Sequence, residues 1–132
     1  MNTCRFLIAL SLLISLLTSV RGAELTKDSL RAVQKNLRDN KAVLVDVRER
    51  SEWDEGHVKG AIFLPLSELN DDLDATTLAK KVPKGKIVYT HCVVGKRSVT
   101  AGNILERHGY RVRPLKAGYN ELIEAGFKKA QE

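Results

Sequence analysis

The amino-acid sequence predicts an α/β domain of three layers, with a central, mainly parallel sheet of about four to five strands and helices on both of its faces. Short apolar runs that are typical of buried strands alternate with segments of helical periodicity over residues 24–132. No repeat, low-complexity tract or linker interrupts these residues, so we expect a single domain. A composition of 43% hydrophobic and 29% charged residues excludes a disordered, collagen-like or multi-span membrane protein.

The first elements of the domain are a helix, a strand and a second, short helix. Thr26 can cap the first helix, whose apolar residues recur at the spacing of one helix face over 30–37 and which ends near Asn40. Residues 42–47 form a valine-rich run, as expected of a strand that is covered on both faces. A short helix is predicted from Ser51, because acidic side chains in its first turn complement the helix dipole.

The middle of the domain continues the alternation. A short strand over 61–65 ends at a proline, and residues 66–81 follow a weak helical pattern. Residues 86–91 form a third buried strand, and a helix over 98–108 is predicted to end at the cap residue Gly109.

A last strand over residues 110–115 and a last helix over 119–126 complete the domain. In parallel α/β sheets, ligands bind at the carboxyl ends of the strands. Cys92 directly follows the strand 86–91, so it is expected at that edge.

Residues 1–23 have the features of a signal peptide. Arg5 precedes an uncharged, apolar stretch over 6–20, and cleavage after Gly22 or Ala23 is plausible. An uncleaved anchor is the alternative, but the stretch is shorter than the ~20 residues that a spanning helix needs. We therefore expect an exported protein, periplasmic or secreted, with no stable membrane association after cleavage.

Removal of the predicted signal peptide leaves one cysteine. The segment contains two arginines and no acidic residue, so its loss lowers the net charge from +6 to +4. Cys92 then has no partner for an internal disulfide, and it is either a reactive thiol or a buried, inert residue.

The residues around Cys92 favour the reactive thiol. A turn from a strand into a helix directs backbone N–H groups into an anion-binding cup, where a thiol ionises more readily. Lys96 and Arg97 add two positive charges in the same loop, and Gly95 lets the backbone approach a ligand closely. The sequence therefore predicts a nucleophilic cysteine in an anion-binding loop.

Other types of site have weaker support. The histidines and Cys92 lack the spacing of metal ligands, so a metal site is not expected. His57 is expected to hydrogen-bond to backbone and His91 to lie in the core, while Trp53 is expected to pack. The basic residues of the C-terminal half are dispersed, without interleaved stacking aromatics, which favours a solvated face over a nucleic-acid site.

Two segments resemble the rhodanese family and together span nearly the whole predicted domain. Residues 43–69, "VLVDVRERSEWDEGHVKGAIFLPLSEL", resemble its first signature. Residues 87–126, which contain "HCVVGKRS", resemble its active-site loop and C-terminal segment. The short chain with a lone loop cysteine is most similar in type to the exported, single-domain rhodaneses of the phage-shock-protein E kind.

This resemblance implies a rhodanese-like fold and a sulfurtransferase without a cofactor. Cys92 would accept sulfane sulfur from thiosulfate or a related anionic donor as a persulfide, and would pass it to cyanide or to a thiol, with a protein acceptor as a further possibility. A monomer is expected. The loop that would bind the substrate and stabilise the persulfide comprises Val93, Val94, Gly95, Lys96, Arg97 and Ser98.

The resemblance also defines alternatives. Phosphatases and arsenate reductases of the same fold have one more residue between cysteine and arginine than the four that separate Cys92 from Arg97. Binding modules of the family commonly lack the loop cysteine, which this chain retains. Asp46 and Arg48 are chiefly structural in the family, with a supporting role in the site as the alternative.

One departure from the family concerns the donor. The first loop position, often arginine in members that use thiosulfate, is Val93 here. Donor recognition would then depend on Lys96, Arg97 and backbone groups, and weak thiosulfate turnover is expected.

Overall fold

The structure is a computed structural model that describes residues 21–131, in which a four-stranded parallel sheet has helices on both faces. The helices are α1 (Leu30–Arg38), α2 (Arg50–Glu55), α3 (Leu66–Asn70), α4 (Ala75–Lys81), α5 (Lys96–Arg107) and α6 (Tyr119–Glu124). The strands are β1 (Ala42–Asp46), β2 (Ile62–Phe63), β3 (Ile87–His91) and β4 (Arg111–Pro114). The predicted fold class and strand number are confirmed.

The predicted signal peptide lies almost entirely outside the described residues, so its cleavage stays a prediction. None of the helices in the described part of the chain has the length and apolar character needed to cross a membrane.

The strand order β2-β1-β3-β4 places β1 and β3 in the centre of the sheet. Their pairing runs from Ala42 opposite Ile87 to Asp46 opposite His91, and all five residues of β3 are buried. This burial on both faces explains why the two strands are continuous apolar runs rather than alternating ones.

The two faces of the sheet bury separate hydrophobic clusters. Alternate residues of each strand point to opposite faces, so that Val45 and Val88 pack under α3, α4 and α5 with Leu105. Leu44 and Tyr89 point the other way, into the cluster that α1 and α6 cover. Each fully buried leucine or valine contributes roughly 1.5–3 kcal/mol, so the clusters hold the strand ends in fixed positions.

Two helix starts differ from the predictions because other side chains cap them. Ser29, not Thr26, caps α1, since its hydroxyl accepts a hydrogen bond from the N–H of Ala32 at 3.1 Å. The N–H of Thr26 instead donates to the carbonyl of Pro114 at 2.7 Å. A capping box from Glu49 begins α2 one residue before the predicted Ser51.

The weakly helical stretch 66–81 divides into α3 and α4. Between them Asp72 has a φ of 55°, which no helix continues through. Asp74 then caps α4 by accepting a hydrogen bond from the N–H of Thr77 at 3.0 Å. The turn explains why the periodicity of the whole stretch is weak.

Candidate active site

The predicted active-site loop lies at the carboxyl end of β3, between that strand and α5. Cys92 follows β3 directly, and α5 begins at Lys96, two residues earlier than predicted. Gly95 caps α5 with a φ of 98°, a conformation that favours glycine. The tight turn therefore brings the first N–H groups of α5 close to Cys92.

Backbone N–H groups surround the sulfur of Cys92. Its side chain is buried, and the N–H of Gly95 donates to Sγ at 3.2 Å. Burial alone would raise the pKa of the thiol, but hydrogen bonds from the backbone N–H groups of Ser98, Gly95, Val94 and Arg97 outweigh it and lower the pKa. The geometry thus favours a thiolate, as the sequence predicted.

The lowered pKa of Cys92 can be measured directly. As the pH is raised, thiolate absorbance at ~240 nm should appear with a midpoint below the ordinary pKa of a thiol. The reason is that the loop N–H groups stabilise the charged form. Subtracting the titration of Cys92→Ser removes the contributions of tyrosine and Cys4. A difference titration centred at or above 9.0, the value without the loop, would contradict this prediction.

The side chain of Ser98 is buried inside the loop and holds it in place. Its buried hydroxyl lies 2.6 Å from the carbonyl oxygen of Gly95 and 2.8 Å from that of Leu115. Thr90 of β3 donates its hydroxyl proton to the carbonyl of Ser98 at 2.9 Å. These bonds fix the turn to β3 and β4, so the role of this side chain is positioning.

Gly118 packs against the beginning of the loop. A methyl group built on this residue would lie 2.4 Å from the carbonyl oxygen of Val93, closer than real contacts allow. Only glycine fits this approach of two backbone segments, and Gly118 is not among the site residues predicted from the sequence. In the sequence, the feature that could have indicated this role is a glycine directly before α6.

Arg97 is already engaged by a carboxylate. Its Nη1 and Nη2 lie 2.7 and 2.9 Å from the two carboxylate oxygens of Glu52 on α2. The pair lowers the pKa of Glu52 and raises that of Arg97. Of the two cations expected to recognise the donor, Lys96 is exposed, whereas Arg97 joins the loop to α2.

Asp46 and Arg48 form a buried network at the end of β1. Arg48 donates to both carboxylate oxygens of Asp46, at 3.0 and 2.8 Å, and to the carbonyl of Gly56 at 2.7 Å. His91 Nε2 lies 3.4 Å from Asp46 Oδ2, and the guanidinium of Arg48 lies over the ring of Tyr119. The network joins β1, β3, α2 and α6, which gives the pair a structural role.

This network also governs the ionisation of Asp46. Burial would raise the pKa of its carboxyl, but the neighbouring imidazole of His91 and the hydrogen bonds from Arg48 lower it well below its ordinary range. None of the hydrogen bonds among the described residues joins Asp46 or Arg48 to the sulfur of Cys92.

His57 and Trp53 have the packing roles expected of them. The imidazole Nδ1 lies 3.1 Å from the carbonyl oxygen of Trp53, and the two rings stack with centroids 3.5 Å apart. Within residues 21–131, no three potential metal-ligating side chains come together.

A cleft of about 510 Å³ opens beside the first residues of the loop. Its walls come from the connections that follow β1, β3 and β4. They comprise Arg48, Glu52, Glu55, Gly56, Val93, Val94, Gly118, Tyr119, Asn120 and Glu121. The contributions of Glu55, Tyr119 and Glu121 were missed by the sequence analysis, because these residues lie far from Cys92 along the chain.

The fold and this loop define a known class of domain. The sequence profile of the Rhodanese-like domain matches residues 29–125, well over half of the chain. The protein therefore belongs to the rhodanese-like domain family.

Particular relatives include sulfurtransferases. Thiosulfate:glutathione sulfurtransferase of Saccharomyces cerevisiae is 33% identical over 111 residues, which cover 78% of this chain and 78% of that protein. The solved structure of the human single-domain sulfurtransferase TSTD1 superposes with a TM-score of 0.64 at 29% identity, covering 78% of this chain and 97% of that one.

Another relative has a different name and a longer chain. The tRNA uridine(34) hydroxylase of Hamiltonella defensa is 30% identical over 98 residues, or 74% of this chain, but the match spans only 28% of the hydroxylase. The expected closeness to the phage-shock-protein E type is not confirmed by these relatives.

Proposed function

We propose that this protein is a sulfurtransferase that moves sulfane sulfur from thiosulfate or a related donor to a thiol or cyanide through a persulfide on Cys92. One observation carries the proposal. The sulfur of Cys92 lies where the backbone N–H groups of its loop converge, with the N–H of Gly95 3.2 Å away. The similarity to a thiosulfate:glutathione sulfurtransferase supports the same chemistry.

The first half-reaction loads the cysteine. The Cys92 thiolate attacks the outer sulfur of thiosulfate, a new S–S bond forms, and the S–S bond of thiosulfate breaks with its electron pair leaving on sulfite. The resulting persulfide is an anion, and the loop N–H groups that lower the pKa of the thiol also stabilise this product. The structure thus offers the same stabilisation before and after transfer.

The second half-reaction transfers the sulfur from Cys92 to the acceptor. Cyanide or an acceptor thiolate attacks the outer sulfur of the persulfide, the S–S bond to Cys92 breaks, and its electron pair returns to Sγ as the thiolate. Thiocyanate or the persulfide of the acceptor leaves, with no external oxidant or reductant and no metal or organic cofactor.

Two features disfavour the phosphatase and arsenate reductase reactions. Only four residues separate Cys92 from Arg97, so the loop is shorter than in those enzymes. The guanidinium of Arg97 also faces Glu52 rather than an open anion site. A binding module without catalysis would have no use for a thiol whose pKa is lowered.

Intact mass spectrometry tests the proposal. After incubation with thiosulfate or another sulfane donor, the protein should gain about 32 Da, the mass of one sulfur on a reactive thiolate, and lose it again on addition of cyanide. Cys92→Ser is the matched control and should gain nothing. Failure of the wild type to gain sulfur from any sulfane donor would favour the binding module. Phosphatase or arsenate reductase turnover that Cys92→Ser abolishes would favour those rivals instead.

A further inference from the structure

The cleft beside the loop carries negative charge that the proposed sulfur chemistry leaves unexplained. Two of its charged wall residues are neutralised within the fold, because Arg48 pairs with Asp46 and Glu52 pairs with Arg97. Two more, Glu55 on α2 and Glu121 on α6, are exposed, and in the described part of the chain neither forms an ion pair.

These two carboxylates belong to different segments of the cleft wall. Glu55 ends α2 after β1, and Glu121 lies in the first turn of α6 after β4. The cleft therefore has two uncompensated negative charges, and Lys96 does not belong to its wall. A small dianion would be repelled there, whereas a cation would be attracted.

Part of the wall of the same cleft is apolar. The side chains of Val93 and Val94, directly after Cys92, are 49% and 70% exposed, and the half-buried ring of Tyr119 adds to the wall. Exposed valines in a loop that binds anions have no role in binding thiosulfate. They provide contact for a short carbon chain attached to a reacting sulfur.

We propose that the cleft receives the acceptor, and that the acceptor is a small organic thiol with a positively charged group a few carbons from its sulfur. Its alkyl portion would contact Val93 and Val94, and its cation would lie between Glu55 and Glu121. A volume of about 510 Å³ suits a small molecule rather than a folded partner. This inference rests on the proposed function, since the acceptor must meet a Cys92 persulfide.

The transfer step balances without a further reactant. The acceptor thiolate attacks the outer sulfur of the persulfide, forming one S–S bond as the S–S bond to Cys92 breaks. The electron pair remains on the Cys92 thiolate, and the acceptor leaves as a persulfide.

The test compares thiols of opposite charge on protein that has already been loaded with sulfur. Cys92 is first converted to its persulfide and checked by mass, so that a failure of the proposed function is recognised before the acceptor is added. The second-order rate constants are then measured for cysteamine, a cation, and for 3-mercaptopropionate, an anion. For each thiol, the rate constant of a variant is divided by that of the wild type, so that the intrinsic reactivity of the thiol cancels.

Glu55→Gln combined with Glu121→Gln should reduce the preference for cysteamine over 3-mercaptopropionate by about fivefold, as expected for two solvated charges within several ångströms of the ligand. Added salt of about 0.5 M should reduce the wild-type preference in the same direction. Glu106→Gln combined with Glu124→Gln removes the same charge away from the cleft and should leave the preference unchanged.

Three results would overturn the inference. The first is an unchanged ratio of the two rate constants in the cleft variant, and the second is an equal change in the control variant. The third is a lysine-flanked cysteine peptide that reacts far faster than cysteamine and depends on the same two glutamates, because the occupant would then be a polypeptide.

Discussion

Cys92→Ser is expected to reduce the turnover of thiosulfate and cyanide to thiocyanate by at least about 10⁴-fold, the loss typical when a covalent nucleophile is removed. A serine hydroxyl stays protonated in this loop and cannot hold a sulfane sulfur as a persulfide. The N–H groups that surround the sulfur would then have no anion to stabilise.

The measurement needs evidence that the variant is folded. Serine has nearly the volume of cysteine, so Cys92→Ser should retain the thermal unfolding transition and the circular dichroism of the wild type. Thr100→Ser, on the exposed side of α5, should keep wild-type turnover. Equal rates for wild type and Cys92→Ser would exclude the persulfide mechanism.

Asp46→Leu is expected to lower the free energy of unfolding by about 3–5 kcal/mol, because it leaves the buried guanidinium of Arg48 without its counterion. Urea denaturation measures the loss. The pKa of Asp46 is lower in the folded state, so its stabilisation is complete above the ordinary value of 3.8 and declines as the pH falls below it. The difference between wild type and variant should therefore shrink on acidification.

A double variant distinguishes the stability lost by leaving a buried charge unpaired from the stability lost through poorer packing. Asp46→Leu combined with Arg48→Met removes both charges and should recover at least half of the lost stability, since a buried ion pair is often replaced by apolar residues at little cost. If the double variant is as unstable as the sum of the two single variants, the pair is not energetically coupled.

The sequence was sufficient for the fold class and for the place of the predicted loop at the end of β3, because both depend on local patterns. The apolar runs at β1 and β3 are continuous since both strands are buried on both faces, and this property is visible without a structure. Cys92 was selected because it directly follows such a run and precedes a helix. The strand-to-helix turn that brings backbone N–H groups near the sulfur follows from that order together with Gly95.

The parts that the sequence did not predict depend on contacts between distant segments. Arg97 was expected to recognise the donor, but Glu52, 45 residues earlier in the chain, occupies its guanidinium. The need for glycine at Gly118 arises from the carbonyl of Val93, which only the packing of β4 against β3 brings near. Helix starts differed by a residue or more because Ser29 and Glu49 compete with neighbouring residues for the same cap.

The parallel sheet also places the proposed chemistry and the proposed acceptor cleft on different connections between its strands and helices. Cys92, the proposed nucleophile, and the N–H groups around it belong to the connection after β3, whereas Glu55 and Glu121 belong to the connections after β1 and β4. Glu52 and Gly118, which contact the loop from those same connections, must stay, whereas Glu55 and Glu121 form no ion pair in the described part of the chain. We therefore expect that exchanging Glu55 and Glu121 changes the preferred acceptor, while the chemistry proposed for Cys92 is retained.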